Sequence, residues 1–370
     1  MSANSIPYQK IQAELFFRLN RRDSANYYQE LKDIFDYAIS IIKDYDEIST
    51  GEEDDIKISS QSVCKKMKDD SQNLLRFVNY YLNGEISSCY NAFKRWWDSN
   101  RFEYFDENYG TQVFYRTRQR KDEENEFSYE DLLHIPFHLR GKVANQRYSI
   151  CGFPCLYVST SLYQTWEELR RPYIQHLYVT AMRFTKELSI FDMRLMRDIT
   201  SEKQLKCYLQ RLPLIIACAV KVKNYNDSFK PEYIIPQTLL HTIKRDRIDG
   251  ILYSSMRTNS TFYNKEQWED FSKNENIVIP VKSNSNKGFC NQLQSIMEVA
   301  GPLNIEQEMI RGRIKMEKID KYEDTLLGQL ENTLKTGLSR ILTNRHGIKS
   351  KIGFGLINSI KTNPIMHRLK

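Results

Sequence analysis

The sequence predicts an α+β protein, with a mixed, bent or split β-sheet in the middle of the chain and mainly helical regions on either side. Three features point there. Apolar residues recur by threes and fours from the first residues to about residue 100. Short runs rich in β-branched and aromatic residues then alternate with turns up to about residue 285. Helical spacing returns after Gly288. The segments between the strands are too short for the repeated crossovers of a doubly wound sheet. At 370 residues the chain exceeds one average domain. The expected division is a helical N-terminal domain at 1–105, an α+β domain at 106–285 and a helical C-terminal extension at 286–370.

The first helix with a clear apolar face begins near Tyr27 and carries Tyr28, Leu31, Ile34, Phe35, Ala38, Ile41, Ile42 and Tyr45. Ser24 reads as its N-cap, without an acid three residues on to complete a capping box. Thr50 to Asp55, TGEEDD, reads as an acidic loop. A second helix takes Leu74, Leu75, Phe77, Val78, Tyr81 and Leu82, ending near Asn83-Gly84. A third continues through Ile86, Cys89, Tyr90, Phe93, Trp96 and Trp97, an aromatic stripe expected to be helix–helix core. In the middle region, strands are expected at Val113 to Arg116, Pro154 to Val158, Tyr173 to Phe184 and Ile190 to Met193. Further strands are expected at Leu212 to Val220, Ile251 to Ser255 and Asn276 to Val281. Helices are expected at Ser161 to Arg170, stopped by Pro172, and at Gln237 to Lys244. Past Gly288 a helical stripe runs through Leu326, Leu327, Leu330, Leu334, Leu338 and Ile341. From Arg340 to Lys370 there are seven Lys or Arg and no Asp or Glu.

Composition excludes more than it selects. The balance of 54 basic and 47 acidic side chains leaves +7, a mild field for anionic partners of any kind. The seven cysteines contain no CxxC, so no zinc framework is expected, and a disulfide framework is not expected in so long a chain without an apparent signal peptide. His134 and His138 are four apart, but Pro136 between them breaks the helix that would align a metal pair. There is no GxGxxG and no GxxxxGK[ST], which removes the Rossmann and Walker readings. The longest apolar run is seven residues, Leu214 to Val220, far short of a membrane span, and no leader is apparent. A cytoplasmic protein is expected.

Two stretches carry the chemistry. Arg147 to Glu168 reads RYSICGFPCLYVSTSLYQTWEE, and Asp249 to Arg257 reads DGILYSSMR. They set an arginine, a tyrosine, a glutamate and a serine around a strand–turn–helix and a second strand. The set resembles the RES domain, named for its Arg, Glu and Ser, whose familiar members are bacterial toxins that consume NAD or use it to ADP-ribosylate a target. Arg147, Tyr157 and Glu168 keep that family's spacings of ten and eleven residues. Asp249, Gly250, Tyr253 and Ser255 match its later Asp-Gly and Tyr-x-Ser, and Tyr115 and Arg116 match its first strand. The resemblance covers roughly residues 111 to 282. It departs at Gln146, where the family has Gly, and at Tyr148 and Ser149, where it has Trp or Phe and then Asn.

The resemblance implies an ADP-ribosyltransferase-like split sheet and cleavage of the nicotinamide–ribose bond of NAD. The enzyme would be an NAD glycohydrolase or an ADP-ribosyltransferase with a macromolecular acceptor. It would serve as a bacterial toxin or phage-defence effector, with an antitoxin or activator as partner. NAD is then substrate, and no metal is expected. Arg147 would hold the pyrophosphate with its planar fork of donors, helped by Arg116 and Arg257. Tyr157 would stack on nicotinamide. Glu168 would oppose the positive charge that develops on the ribose, and Ser255 would bond a ribose hydroxyl, the carboxamide or the glutamate. The residues themselves leave Glu167 and Ser254 as rivals; only the family register selects Glu168 and Ser255. Leu162, Trp166 and Leu169 mark the expected buried face of that helix.

A reading of a different class remains open. The basic tail suits nucleic acid, and Arg340 and His346 resemble the Arg–His pair of certain small helical RNases. The chain would then be an RNA-binding or RNA-cleaving helical protein whose RES-like domain senses a nucleotide without turnover. A solvated terminus is the plainer reading of the same tail.

Overall fold

The computed structural model describes residues 4–21, 23–24, 26–51, 56–102, 112–120, 126–195, 197–244, 247–256, 275–283, 285–310, 329–330 and 332–336. Along the chain the strands are β1 (Ser5–Pro7), β2 (Glu47–Ser49), β3 (Lys57–Ser59), β4 (Phe114–Gln119), β5 (Cys155–Ser159), β6 (Leu177–Phe184), β7 (Ile190–Met193), β8 (Gly250–Ser254), β9 (Glu275–Pro280) and β10 (Met297–Asn304). The helices are α1 (Tyr8–Asn20), α2 (Tyr27–Lys43), α3 (Ser60–Leu82), α4 (Ile86–Asn100), α5 (Leu162–Glu168), α6 (Glu202–Ala219), α7 (Ile234–Ile243), α8 (Asn291–Ser295) and α9 (Ile305–Ile310). Helices and strands are mixed as the α+β expectation requires. The chain folds into two compact units that interleave in sequence. One comprises residues 1–105, 144–151 and 190–272; the other comprises 106–143, 152–189 and 273–370.

The first unit is built on helices. In α2, Leu31, Ile34, Phe35, Ala38 and Ile42 are buried, the face that the spacing predicts. Its N-cap is Asn26, not Ser24: the Asn26 side chain accepts from Tyr28 N at 2.9 Å. Ser24 instead accepts from Asn26 N, holding the turn that leads in. The aromatic stripe of α4 is core. Phe77, Phe93, Trp96, Trp97 and Phe102 make edge and tilted ring contacts, and Trp96 donates its indole N–H to Asp70 at 2.9 Å. Residues 1–100 are not purely helical. A small sheet pairs β1 with β2 in parallel and β2 with β3 antiparallel, in three-residue strands too short to show a period.

Leu212 to Val220 is a correction. The expected strand is the C-terminal half of α6, whose N-cap Ser201 accepts from Gln204 N. Nearly every residue from Cys207 to Cys218 is buried, and a helix buried all round is apolar all round. A short continuous apolar run does not separate that case from a buried strand. α6 and α7 carry the chain between β7 and β8, which pair in parallel from Ile190↔Gly250 to Met193↔Tyr253.

The second unit is a five-stranded antiparallel sheet in the order β10-β6-β4-β5-β9. β4 runs against β6 over its full length but meets β5 at the Tyr115–Ser159 pair. The pairing of β4 with β5 is thus far shorter than that of β4 with β6, and α5 packs on both β4 and β5. β10 is a second correction, because the region after Gly288 reads as helical. It pairs with β6 through a bulge between Ala300 and Leu303. At the bulge Gly301 has φ +103°, and a Cβ there would lie 2.9 Å from the Val179 carbonyl, so only glycine fits. Of the expected C-terminal stripe, Leu330 and Leu334 are buried; Leu326, Leu327, Leu338 and Ile341 lie outside the described residues. Among the described residues no helix is long and apolar enough to cross a membrane.

Candidate functional site

The residues singled out by the sequence fall into two groups. Arg116, Tyr157 and Glu168 belong to the unit built on the five-stranded sheet, and Arg147 and Ser255 to the other. Arg257, Arg340, His346 and the basic tail lie outside the described residues.

β5 presents Cys155, Tyr157 and Ser159 on one face and Leu156 and Val158 on the other. Leu156 and Val158 are buried, as the alternation predicts, and Tyr157 is the one partly exposed residue of the strand. The register sets Ser159 directly opposite Asn276 of β9. Ser161 then caps α5, its hydroxyl accepting from Gln164 N at 3.1 Å. The helix ends at Glu168 because Arg170 and Arg171 turn left-handed, with φ 67° and 52°. The Arg171 N–H closes the end on the Trp166 carbonyl at 3.0 Å.

The buried face of α5 differs from the expected one. Leu162, Gln164, Thr165 and Glu167 are buried, while Trp166 and Leu169 are partly exposed. The cause is polar docking that hydrophobic spacing does not register. The Thr165 hydroxyl meets Thr117 of β4 at 2.5 Å, and the Trp166 indole N–H turns outward to the Pro172 carbonyl at 2.9 Å.

This rotation separates the two glutamates. Glu167 is 5% exposed and ion-paired with Arg171 four residues on, at 2.5 Å. Its negative charge is matched by a neighbouring cation. Glu168 accepts from two side-chain amides. Asn276 Nδ2 donates to its Oε1 at 2.8 Å, and Gln164 Nε2 donates to the same oxygen at 3.2 Å. Ser159 donates to Asn276 Oδ1 in turn. Neither Asn276, Gln164 nor Ser159 was singled out by the sequence. Gln164 was within reach of it, because it lies one helical turn before Glu168. Asn276 is 108 residues away, and only the β5–β9 register brings it near.

Arg116 lies next to this group. Its Nη1 donates to the Tyr157 carbonyl at 2.8 Å, and its buried Nε has no acceptor among the described residues. Burial, with repulsion from Arg118, lowers its pKa to about 10, so it remains a cation at neutral pH. His134, in the same unit, is structural. Its Nδ1 bonds the Ile135 carbonyl at 2.8 Å and its Nε2 accepts from Cys290 N at 2.9 Å. Burial lowers its pKa and keeps it neutral for those two bonds.

In the other unit, Gln146 and Ser149 exchange backbone hydrogen bonds at 2.9 and 3.1 Å, with Arg147 and Tyr148 at the tip of the hairpin. The Arg147 fork grips backbone rather than standing clear. Nη1 donates to the Cys218 carbonyl at 2.6 Å and Nη2 to the Val220 carbonyl at 3.0 Å, with the guanidinium over the Tyr233 ring. α6 has no basic residue in its last turn, so Arg147 supplies the cation at its C-terminal end. Tyr148 packs on Tyr253 with ring centroids 4.7 Å apart. Ser254 and Ser255 also separate. Ser254 is partly exposed and its hydroxyl accepts from Leu195 N at 3.2 Å, whereas Ser255, just past β8, is 1% exposed.

Comparison with known proteins places one relative beside this geometry. The chain is 29% identical over 275 residues to a Bacillus subtilis (strain 168) protein named "Putative toxin YopC". The match takes in 67% of this chain and 60% of that protein, so the chain spans less than two thirds of that relative. No protein-family model matches the chain. No solved structure matches it.

Proposed function

We propose that the protein is a toxin that breaks the nicotinamide–ribose bond of NAD, with Glu168 as the catalytic carboxylate. The toxin part draws on the likeness to the Bacillus subtilis protein. The chemistry draws on the RES resemblance. One observation carries it: the Glu168 carboxylate is fixed at Oε1 by two neutral amides, on the sheet face that also bears Tyr157. Amide donors aim a carboxylate while it stays ionised. That charge can oppose the oxocarbenium character of the ribose as the bond breaks. The bonding pair leaves with nicotinamide, which discharges the pyridinium, so no acid is needed. Water, or a nucleophile on a macromolecule, then bonds to the ribose carbon and gives up its proton. Tyr157 offers a face for nicotinamide, and Arg116 a cation for phosphate. Arg147 and Ser255 belong to the other unit, and the proposal rests on neither.

Purified protein incubated with NAD should release nicotinamide. Mass spectrometry should find free ADP-ribose if water attacks and a mass adduct on a macromolecule if it does not. On induced expression, growth and cellular NAD should fall together. Absence of nicotinamide release both in the tube and in expressing cells would refute the reading. A neutralising antitoxin, or an activator, is the partner such a toxin calls for.

A further inference from the structure

We infer that Ser159, Asn276 and Gln164 are positioning residues that fix the orientation of the Glu168 carboxylate. The inference rests on Glu168 being the active carboxylate. Ser159 and Asn276 are cross-strand partners, 4% and 3% exposed, and Gln164 is fully buried. The direction of each hydrogen bond follows from chemistry. An ionised carboxylate only accepts. Asn276 must therefore turn its NH2 toward Glu168 and its oxygen away, and the Ser159 hydroxyl must donate to that oxygen. The serine thereby prevents the amide from reversing.

Gln164 gives the same message independently. Its Nε2 faces Glu168, while its buried Oε1 has no donor among the described residues. A buried acceptor without a partner is costly. The opposite orientation would set a carbonyl against the carboxylate. The side chain keeps the costly arrangement because the charge on Glu168 requires a donor. The two amides reach one oxygen from two elements, β9 and α5, so the carboxylate plane is fixed from both sides. The residues act through Glu168 and need touch no substrate.

Ser159→Ala should remove the hydroxyl and leave the Asn276 amide able to reverse. Turnover with NAD should fall about ten- to a hundredfold, the worth of one hydrogen bond to a charged group. KM should stay unchanged, and the melting temperature should fall by a few degrees, because the buried Asn276 oxygen loses its donor. Ser159→Thr, which retains the hydroxyl, should restore turnover. A readout independent of activity is the side-chain amide of Asn276 in 15N–1H NMR spectra of the full chain. Its protons should lie downfield in the parent and in Ser159→Thr, and move toward free-amide positions in Ser159→Ala. If Ser159→Ala does not fold, Gln164→Met removes the other donor from the same oxygen and should lower turnover in the same way. Unchanged turnover together with unchanged Asn276 resonances in Ser159→Ala would overturn the inference while leaving the NAD reading standing. Shifted resonances in a protein that never releases nicotinamide would uphold the positioning role and sink the NAD reading.

Discussion

Glu167 and Glu168 are adjacent and chemically identical, yet neutralising each should do something different. Glu168→Gln retains the size and the acceptor oxygen that Asn276 and Gln164 hold, and removes only the charge. A preorganised charge at the reacting centre typically contributes ~3–4 kcal/mol, so turnover should fall about 10²–10³-fold. The fold should be intact, and NAD affinity should change little, because the ground-state pyridinium is held by other contacts. Glu167→Gln breaks the ion pair with Arg171, whose side chain is 44% exposed. Solvent takes over much of what Arg171 loses. The loss should therefore be about 1–2 kcal/mol of stability, below that of a fully buried pair. Turnover per folded molecule should be unchanged. Single-turnover nicotinamide release and denaturant titration on the two variants separate these signatures. Full turnover in Glu168→Gln, or abolished turnover in a normally stable Glu167→Gln, would refute the assignment.

Two further perturbations test the other unit. Arg147→Ala should leave the Cys218 and Val220 carbonyls without their donors and lower stability by about 1–3 kcal/mol in denaturant titration; unchanged stability with a raised KM for NAD would return its fork to the phosphate. Asp192 is a pH probe: burial raises its pKa, but the charge and hydrogen bonds of Arg194, with the charge of Arg197, outweigh burial and hold it at about 2. A carboxyl held below its ordinary value stabilises the fold above that value, so about 2 kcal/mol should be present at neutral pH and lost as pH falls from about 4 toward 2. Asp192→Asn should flatten unfolding free energy over that window, and an unchanged acid slope would contradict the reading.

What could be read in advance follows from the range over which each signal acts. The amphipathic period of α2, α3 and α4 was legible because each presents one apolar face over several turns, and Leu31, Ile34 and Phe35 are buried as their spacing predicts. The period failed where burial has no side. α6 is buried on almost every side between Cys207 and Cys218, and from Leu212 to Ala219 it carries no charged or amide side chain, so alternation and helical spacing were equally available. β10 failed for a different reason. Its strand is broken by a bulge at Gly301-Pro302, a pair that reads as a turn, and its partner β6 is more than a hundred residues upstream. The three-residue strands β1, β2 and β3 are too short for any period to register.

The site divides along the same line. Hydrophobic spacing left Glu167 and Glu168 equivalent, flanking one stripe. Polar spacing does not part them either, since Gln164 and Arg171 each lie three or four residues from both glutamates; the fold pairs Arg171 with Glu167 and Gln164 with Glu168. Asn276 and the fork of Arg147 lie beyond such reasoning. Each finds its partner by register or by the position of a helix end, 108 and 71 residues away for Glu168 and Cys218. Motif spacing picks out residues of the right chemical type. Whether an arginine in the right place is available to a substrate depends on what else needs its donors, and Arg147 shows two of them engaged by the end of α6.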